Sequence, residues 1–163
     1  ALYMSTLGYR HDLFPDSKYI DLYFRNTRLE YEIPPAAMED EQFAAMITEA
    51  EKYLGYPYVW GGSSPSTSFD CSGFVCWVIN HSGWNVGRTS AQGLYNICTP
   101  VARSNARPGD LVFFVGTYDT PGVSHVGIYA GNSMMIHCGD PITYANINTV
   151  YWQSHFYTYG RLP

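Results

Sequence analysis

Cys71 and His125 are the residues of this sequence best suited to covalent chemistry on an amide. Amide cleavage by a thiol needs a thiolate, an imidazole beside it, and donors for the oxyanion that develops. Asp70 precedes Cys71 and is a strong N-cap residue, and the pattern after it predicts a helix running to about Asn80, ahead of Gly83. Cys71 then sits in the first turn and shares an inward face with Phe74, Val75, Val78 and Ile79, while Cys76 points elsewhere. Backbone N–H groups and the helix dipole favour a thiolate at such a position, where thiol pKa values fall from about 8.5 to roughly 3.5–7.5. The competing reading is a buried structural cysteine, because free Cys is among the most buried residue types.

The base must come from another element. His125 opens an alternating segment in which His125, Gly127 and Tyr129 share a face, and Gly127 is expected to leave room for the Cys71 helix. His137 is the candidate for holding the tautomer of His125. If Met134 to Cys138 pairs with His125 to Ala130 through a three-residue loop, Gly131 to Ser133, Gly127 faces His137, and the two histidines are diagonal neighbours on one face. A two-residue turn at Gly131-Asn132 would send His137 to the other face. His11, His81 and His155 have no comparable setting and are expected to be solvated.

The elements around these residues set the fold class. Phe43, Met46, Ile47, Ala50, Tyr53 and Leu54 recur at three and four, the stripe of a half-buried helix, which Gly55 and Pro57 end. Tyr58 to Trp60 is extended, and 63–68 reads as a loop. A short helix is expected from Thr89 to Asn96. From Asp110 onward the texture becomes strands: Leu111 to Val115, His125 to Ala130, Met134 to Cys138, Thr143 to Ile147 and Phe156 to Arg161. Helices first and strands later imply an α+β domain, with N-terminal helices packed on an antiparallel sheet of about five strands. Residues 1–38, with Pro34-Pro35, read as an extension or linker before a domain at 39–163.

Composition narrows the function classes. The chain has 163 residues, 46% apolar and 14% charged, which suits one globular domain. A formal charge of −5 without a Lys/Arg cluster argues against a nucleic-acid surface. The longest apolar run, Phe74 to Ile79, is far too short to span a membrane. Fifteen Tyr offer flat faces with polar tips, suited either to sugar and peptide ligands or simply to the core and rim. The four Cys show no C-x-x-C spacing, so neither metal nor other cofactor is expected, while a disulfide among Cys76, Cys98 and Cys138 stays open. The chain starts at Ala1 without a signal-like segment, which suggests a processed or excised form and leaves the compartment open.

Four ordered motifs carry a resemblance: Tyr58-Val59-Trp60-Gly61-Gly62, Phe69 to Val75 around Asp70-Cys71-Ser72-Gly73, Arg107 to Phe114, and Ser124 to Tyr129. Over roughly Glu41 to Leu162 the chain resembles the NlpC-type papain-like peptidases of peptidoglycan. The resemblance implies a papain-like core and a triad of Cys71, His125 and His137. It also implies cleavage of stem peptides between D-γ-glutamate and the following L-diamino acid, through a thioester, by a secreted monomer acting at the cell wall. Tyr58 would stand near the thiol, and Asp70 and Ser72 would bind the substrate backbone, although Asp70 could serve only as the N-cap. Arg88-Thr89-Ser90 looks like the family's segment along the groove, or equally a helix start, which makes Arg88 and Ser90 candidate substrate contacts.

No added wall-binding module falls within these residues, which favours intact or strand-attached peptidoglycan as substrate. The rival functions are an N-acetylmuramoyl-L-alanine amidase, an acyltransferase that intercepts the thioester, and a non-catalytic wall-binding module. The loop Asp119 to Gly122 is expected to border the groove, because it leads into the strand that carries His125.

Overall fold

The computed structural model describes residues 31–163, so most of the N-terminal extension, His11 included, lies outside the described residues. Four α-helices follow in chain order: α1 (Glu41–Glu51), α2 (Cys71–Asn80), α3 (Ala91–Ile97) and α4 (Val150–His155). Eight strands accompany them: β1 (Ser63–Ser64), β2 (Ser68–Phe69), β3 (Thr99–Val101), β4 (Leu111–Val115), β5 (Val123–Gly131), β6 (Met134–Cys138), β7 (Ile142–Asn146) and β8 (Phe156–Arg161). β1 and β2 form a small hairpin, and the other six form one antiparallel sheet in the order β3-β8-β4-β5-β6-β7. The fold is α+β and papain-like.

Three elements differ from the sequence expectation. The sheet has six strands where about five were expected, because Thr99-Pro100-Val101 adds an edge strand against β8. A proline in a three-residue segment gives no strand signal, yet it is tolerated at an edge, where its missing N–H faces no partner. The 63–68 segment contributes two short paired strands as well as a loop. The helix α4 stands between β7 and β8, where the sequence reading expects no helix; Thr149 caps it by accepting from the Trp152 N–H.

Both faces of the sheet are covered. One face packs with Phe113, Val126, Ile128 and Ile136 against α1 and α2, while Val112, Phe114, Met135 and Tyr159 face a second cluster that includes Trp152 of α4. α2 is the central helix. Every residue from Cys71 to Cys76 is buried, so Cys76 does not point outward; its Sγ turns to the Thr89 carbonyl at 3.6 Å. All four cysteines are free thiols. The end of the extension packs on this body: Tyr31 and Ile33 lie against the core, and the Tyr31 hydroxyl donates to the carbonyls of Ala130 (3.3 Å) and Gly131 (3.2 Å).

The β5–β6 register is the one that unites the histidines, although it arises differently from the expected loop. Ile128 faces Ile136 and Tyr129 faces Met135, but Gly131 faces Met134, so the extra residue is a bulge inside β5. The connection is then a two-residue turn, Asn132-Ser133, with φ of 52° and 60° as a type I′ hairpin needs. Bulge and turn together have the parity of a three-residue loop. Gly127 is accordingly adjacent to His137, whose Cβ would lie 3.2 Å from a Cβ added at 127. The room at Gly127 serves Met135 and His137 of β6, not the Cys71 helix as expected, because the glycine faces its neighbouring strand.

α2 is held instead by contact between two glycines. A Cβ on Gly73 would lie 2.0 Å from the Gly62 carbonyl oxygen, a backbone atom that cannot step aside. Gly73→Ala is therefore expected to push the helix start off the 61–62 turn, and overpacking of this kind costs about 1–3 kcal/mol. Thermal unfolding followed by circular dichroism should show Tm lower by roughly 3–10 °C; an unchanged Tm would show that this contact does not anchor the helix.

Candidate active site

Asp70 sets the start of α2, its Oδ1 accepting from the Gly73 N–H at 2.8 Å. This leaves Cys71 as the first helical residue, only 7% exposed. The ladder between β5 and β6 begins at Ile128, so the edge of β5 at Ser124 and Val126 meets no strand on that side. Cys71 occupies the gap. Its Sγ donates to the Ser124 carbonyl at 3.9 Å, and the backbone N–H groups of Val126 and Ser72 favour its anion. The thiol thus rests on the two residues that flank His125.

On the other side, His125 Nε2 and His137 Nδ1 are 2.8 Å apart. Burial pushes the His125 pKa down to about 4, against a smaller opposing pull from the Asp70 charge. His137 is held well below the ordinary imidazole range, by burial first and by His125 second. Both rings are therefore neutral near pH 7, and one of them donates the shared proton.

The thiol departs from the sequence expectation. Its pKa is pushed up to about 12, chiefly by burial and then by the Asp70 carboxylate, which outweigh the two N–H donors and Arg88. The helix-tip position agrees with the sequence expectation, but the expected drop counts the dipole and the N–H groups and leaves out the cost of burying the anion. A sealed apolar setting penalises the anion more than the dipole favours it.

The residues expected to bind substrate fall into one network. Arg88 pairs with Asp70 (Nη2 to Oδ1, 2.8 Å) and donates to the hydroxyls of Ser72 and Ser63, each at 2.9 Å. Asp70 also accepts from the Gly61 N–H at 3.0 Å, so its carboxylate serves the N-cap and the groove wall together. Ser90 caps α3, its Oγ accepting from the Gly93 N–H at 3.0 Å. Tyr58 lines the groove beside Cys71, and burial raises its phenol pKa. Among the histidines expected to be solvated, His81 is exposed and stacks on Trp77, whereas His155 is half-buried with Nδ1 2.8 Å from the Val115 carbonyl.

Two cavities meet at Cys71. One, of about 300 Å³, is lined by His125, His137, Tyr151 and Trp152; the other, of about 450 Å³, is lined by Asp70, Ser72, Arg88 and Ser90. Trp60 and Tyr118 line both and meet edge to face at 5.4 Å. Thr120 and Pro121 of the loop before β5 border the second cavity. No group of side chains among the described residues could hold a metal ion.

The residue that sequence reasoning missed is Trp152. Its ring stacks on His125 (5.3 Å between centroids, 27°) and stands perpendicular to His137 (5.3 Å, 87°), with Phe114 behind it at 4.6 Å. Trp152 covers one side of the histidine pair and is one cause of its burial. A tryptophan in a six-residue helix gives no signal of this in the sequence; only the return of α4 over the sheet places it.

Comparison with known proteins places the chain in a family. The NlpC/P60 family pattern matches residues 55–161. The chain is 37% identical over 151 residues to the bifunctional muramidase/DL-endopeptidase CwlT of Bacillus subtilis, covering 91% of this chain and 46% of that protein. It is 42% identical over 111 residues to the gamma-DL-glutamyl hydrolase of the same organism, covering 67% of this chain and 27% of that one. The chain therefore spans less than half the length of these relatives. Among solved structures, a lipoprotein-like protein of the NLP/P60 family from Staphylococcus aureus superposes with a TM-score of 0.73 at 42% identity, over 76% of this chain and 42% of that one. With the family pattern covering the segment that holds the thiol and both imidazoles, this chain belongs to the NlpC/P60 family.

Proposed function

We propose that this chain is a cysteine peptidase of the cell wall that cuts peptidoglycan stem peptides between D-γ-glutamate and the following diamino acid. The observation that carries the reading is the thiol seated on Ser124 and Val126, either side of a histidine whose far nitrogen is held by a second histidine. The choice of bond is supported by similarity to a DL-endopeptidase and a gamma-DL-glutamyl hydrolase.

The chemistry follows from which nitrogen is occupied. With its Nε2–H donated to His137, His125 keeps a lone pair on Nδ1, the nitrogen left for the thiol. Thiolate alone or imidazolium alone is disfavoured in this dry site, but passing the proton from Sγ to Nδ1 creates both charges together, and each stabilises the other. The thiolate attacks the γ-carbonyl carbon of D-glutamate. The N–H groups of the first turn of α2 face the oxyanion. His125 then protonates the departing amine, the C–N bond breaks, and a thioester remains on Cys71. Water, deprotonated by His125, hydrolyses the thioester and frees the thiol. Asp70, Ser72 and Arg88 hold the backbone of the acyl half.

Digestion of purified peptidoglycan, with mass analysis of the products, tests the reading. New termini at D-glutamate and the diamino acid are expected from the wild type and none from Cys71→Ala; fragments cut between sugar and peptide, or lysis that survives the substitution, would overturn it. His137→Ala should lower kcat by roughly 10²–10⁴-fold, the usual worth of a positioned acid–base group. His137→Asn, which keeps an acceptor for Nε2–H, should lose clearly less; equal losses would show that His137 does not orient His125. Because the neutral pair gains a proton only near the His125 pKa of about 4, activity should persist well below pH 6.5 and fall as pH drops through that value. Trp152→Ala admits water to the ring, which raises the His125 pKa, so the acid limb of kcat/KM should move up toward 6.5. An acid limb at the same pH in both proteins would dissociate Trp152 from the base.

A further inference from the structure

Proton transfer decides which cavity receives which half of the substrate, given the peptidase reading above. The departing amine must take its proton from His125, so its nitrogen lies against that ring. His125 and His137 line the cavity of about 300 Å³ and do not line the other. The smaller cavity therefore takes the residue on the amine side of the cut bond, and the cavity of about 450 Å³ takes the acyl side.

The two walls differ in charge. The acyl-side wall carries Asp70 and Arg88. Among the described residues, the amine-side wall contains no Asp, Glu, Lys or Arg; its polar groups are hydroxyls, thiols and two uncharged imidazoles. Asp140, next along the chain from Gly139 in that wall, directs Oδ1 at the Tyr58 N–H, 3.3 Å away, and does not line the cavity. Tyr151, Trp152, Trp60 and Tyr118 make the remaining surface aromatic.

From this asymmetry we infer that the amine-side cavity selects a residue whose side chain carries no charge: a diamino acid with its distal amine acylated, in preference to the same residue with a free ammonium. A charge placed there would lose hydration and gain no counter-ion. The penalty is partial, because a long aliphatic stem can lift its head toward the rim, where Trp60 is 71% exposed. The aromatic faces offer a cation some attraction, but an acyl cap gains apolar burial on the same faces.

The test uses the 163-residue chain and three synthetic peptides, L-Ala-γ-D-Glu-L-Xaa, in which Xaa is lysine, Nε-acetyl-lysine or norleucine. Both neutral peptides should be cleaved with kcat/KM at least about tenfold above the lysine peptide, a difference of about 1.4 kcal/mol. In Tyr151→Glu, a carboxylate on the same wall should narrow or reverse that ratio. Lysine cleaved as well as or better than its neutral analogues would overturn the inference and leave the peptidase reading intact. Cleavage of none of the three, with purified peptidoglycan also uncut, would remove both. Cleavage of peptidoglycan but of none of the peptides would also count against the inference, since the cavity would then not act on the side chain alone. A ratio unchanged in Tyr151→Glu would show that selection arises outside this wall.

Discussion

The seating of α2 on the bare edge of β5 is the contact on which the rest of the site depends. A strand edge offers unpaired N–H and C=O groups, and a helix start offers unpaired N–H groups. Here the thiol of Cys71 lies between the two, donating to the Ser124 carbonyl, with the N–H groups of Val126 and Ser72 favouring its anion. The gap exists because β6 pairs with β5 only near their shared turn. The approach is close because Gly73 carries no side chain where the helix start meets the Gly62 carbonyl, and Gly62 carries none where it meets the Ser68–Phe69 backbone. Asp70 fixes the axial position of the same helix through its N-cap bond and ties that helix start to the groove wall through Arg88.

Burial governs the electrostatics. A surface Cys–His pair would hold much of its charge in the resting state, but here both partners are driven toward neutrality, the thiol upward and the imidazole downward. The free thiol is thus kept from ionising alone. Trp152 and Phe114 supply much of the dry wall that enforces this, from the sheet face opposite the one on which α1 and α2 pack. The two faces of the sheet therefore divide the site: one carries the helix of Cys71, and the other encloses His125 and His137.

The groove inherits that division. Its polar wing is built from the first turn of α2 and the segment before α3, where Asp70 and Arg88 neutralise one another and Ser72 bonds to both. Its apolar wing is built from the sheet and α4. A peptide lying across Cys71 meets ion-paired polar groups on one side and aromatic rings on the other.

Much of this was legible in the chain. Local signals placed these elements closely: the N-cap beside a cysteine gave α2, strand composition gave β8, and the stripe ended by Gly and Pro gave α1, which stops at Glu51, three residues before the expected Leu54. The alternation after His125 limited the pairing of β5 and β6 to two registers, of which only one unites His125 with His137. The sequence by itself thus determined the helix tip that holds Cys71, the strand that holds His125 and the register candidate that brings His137 beside it, because these follow from periodicities of 3.6 and 2 and from capping chemistry. Only the tertiary structure decided the rest. The bulge that chose the register, the Trp152 cover and the raised thiol pKa depend on what lies across space from a residue, and burial by distant segments leaves no mark on local spacing.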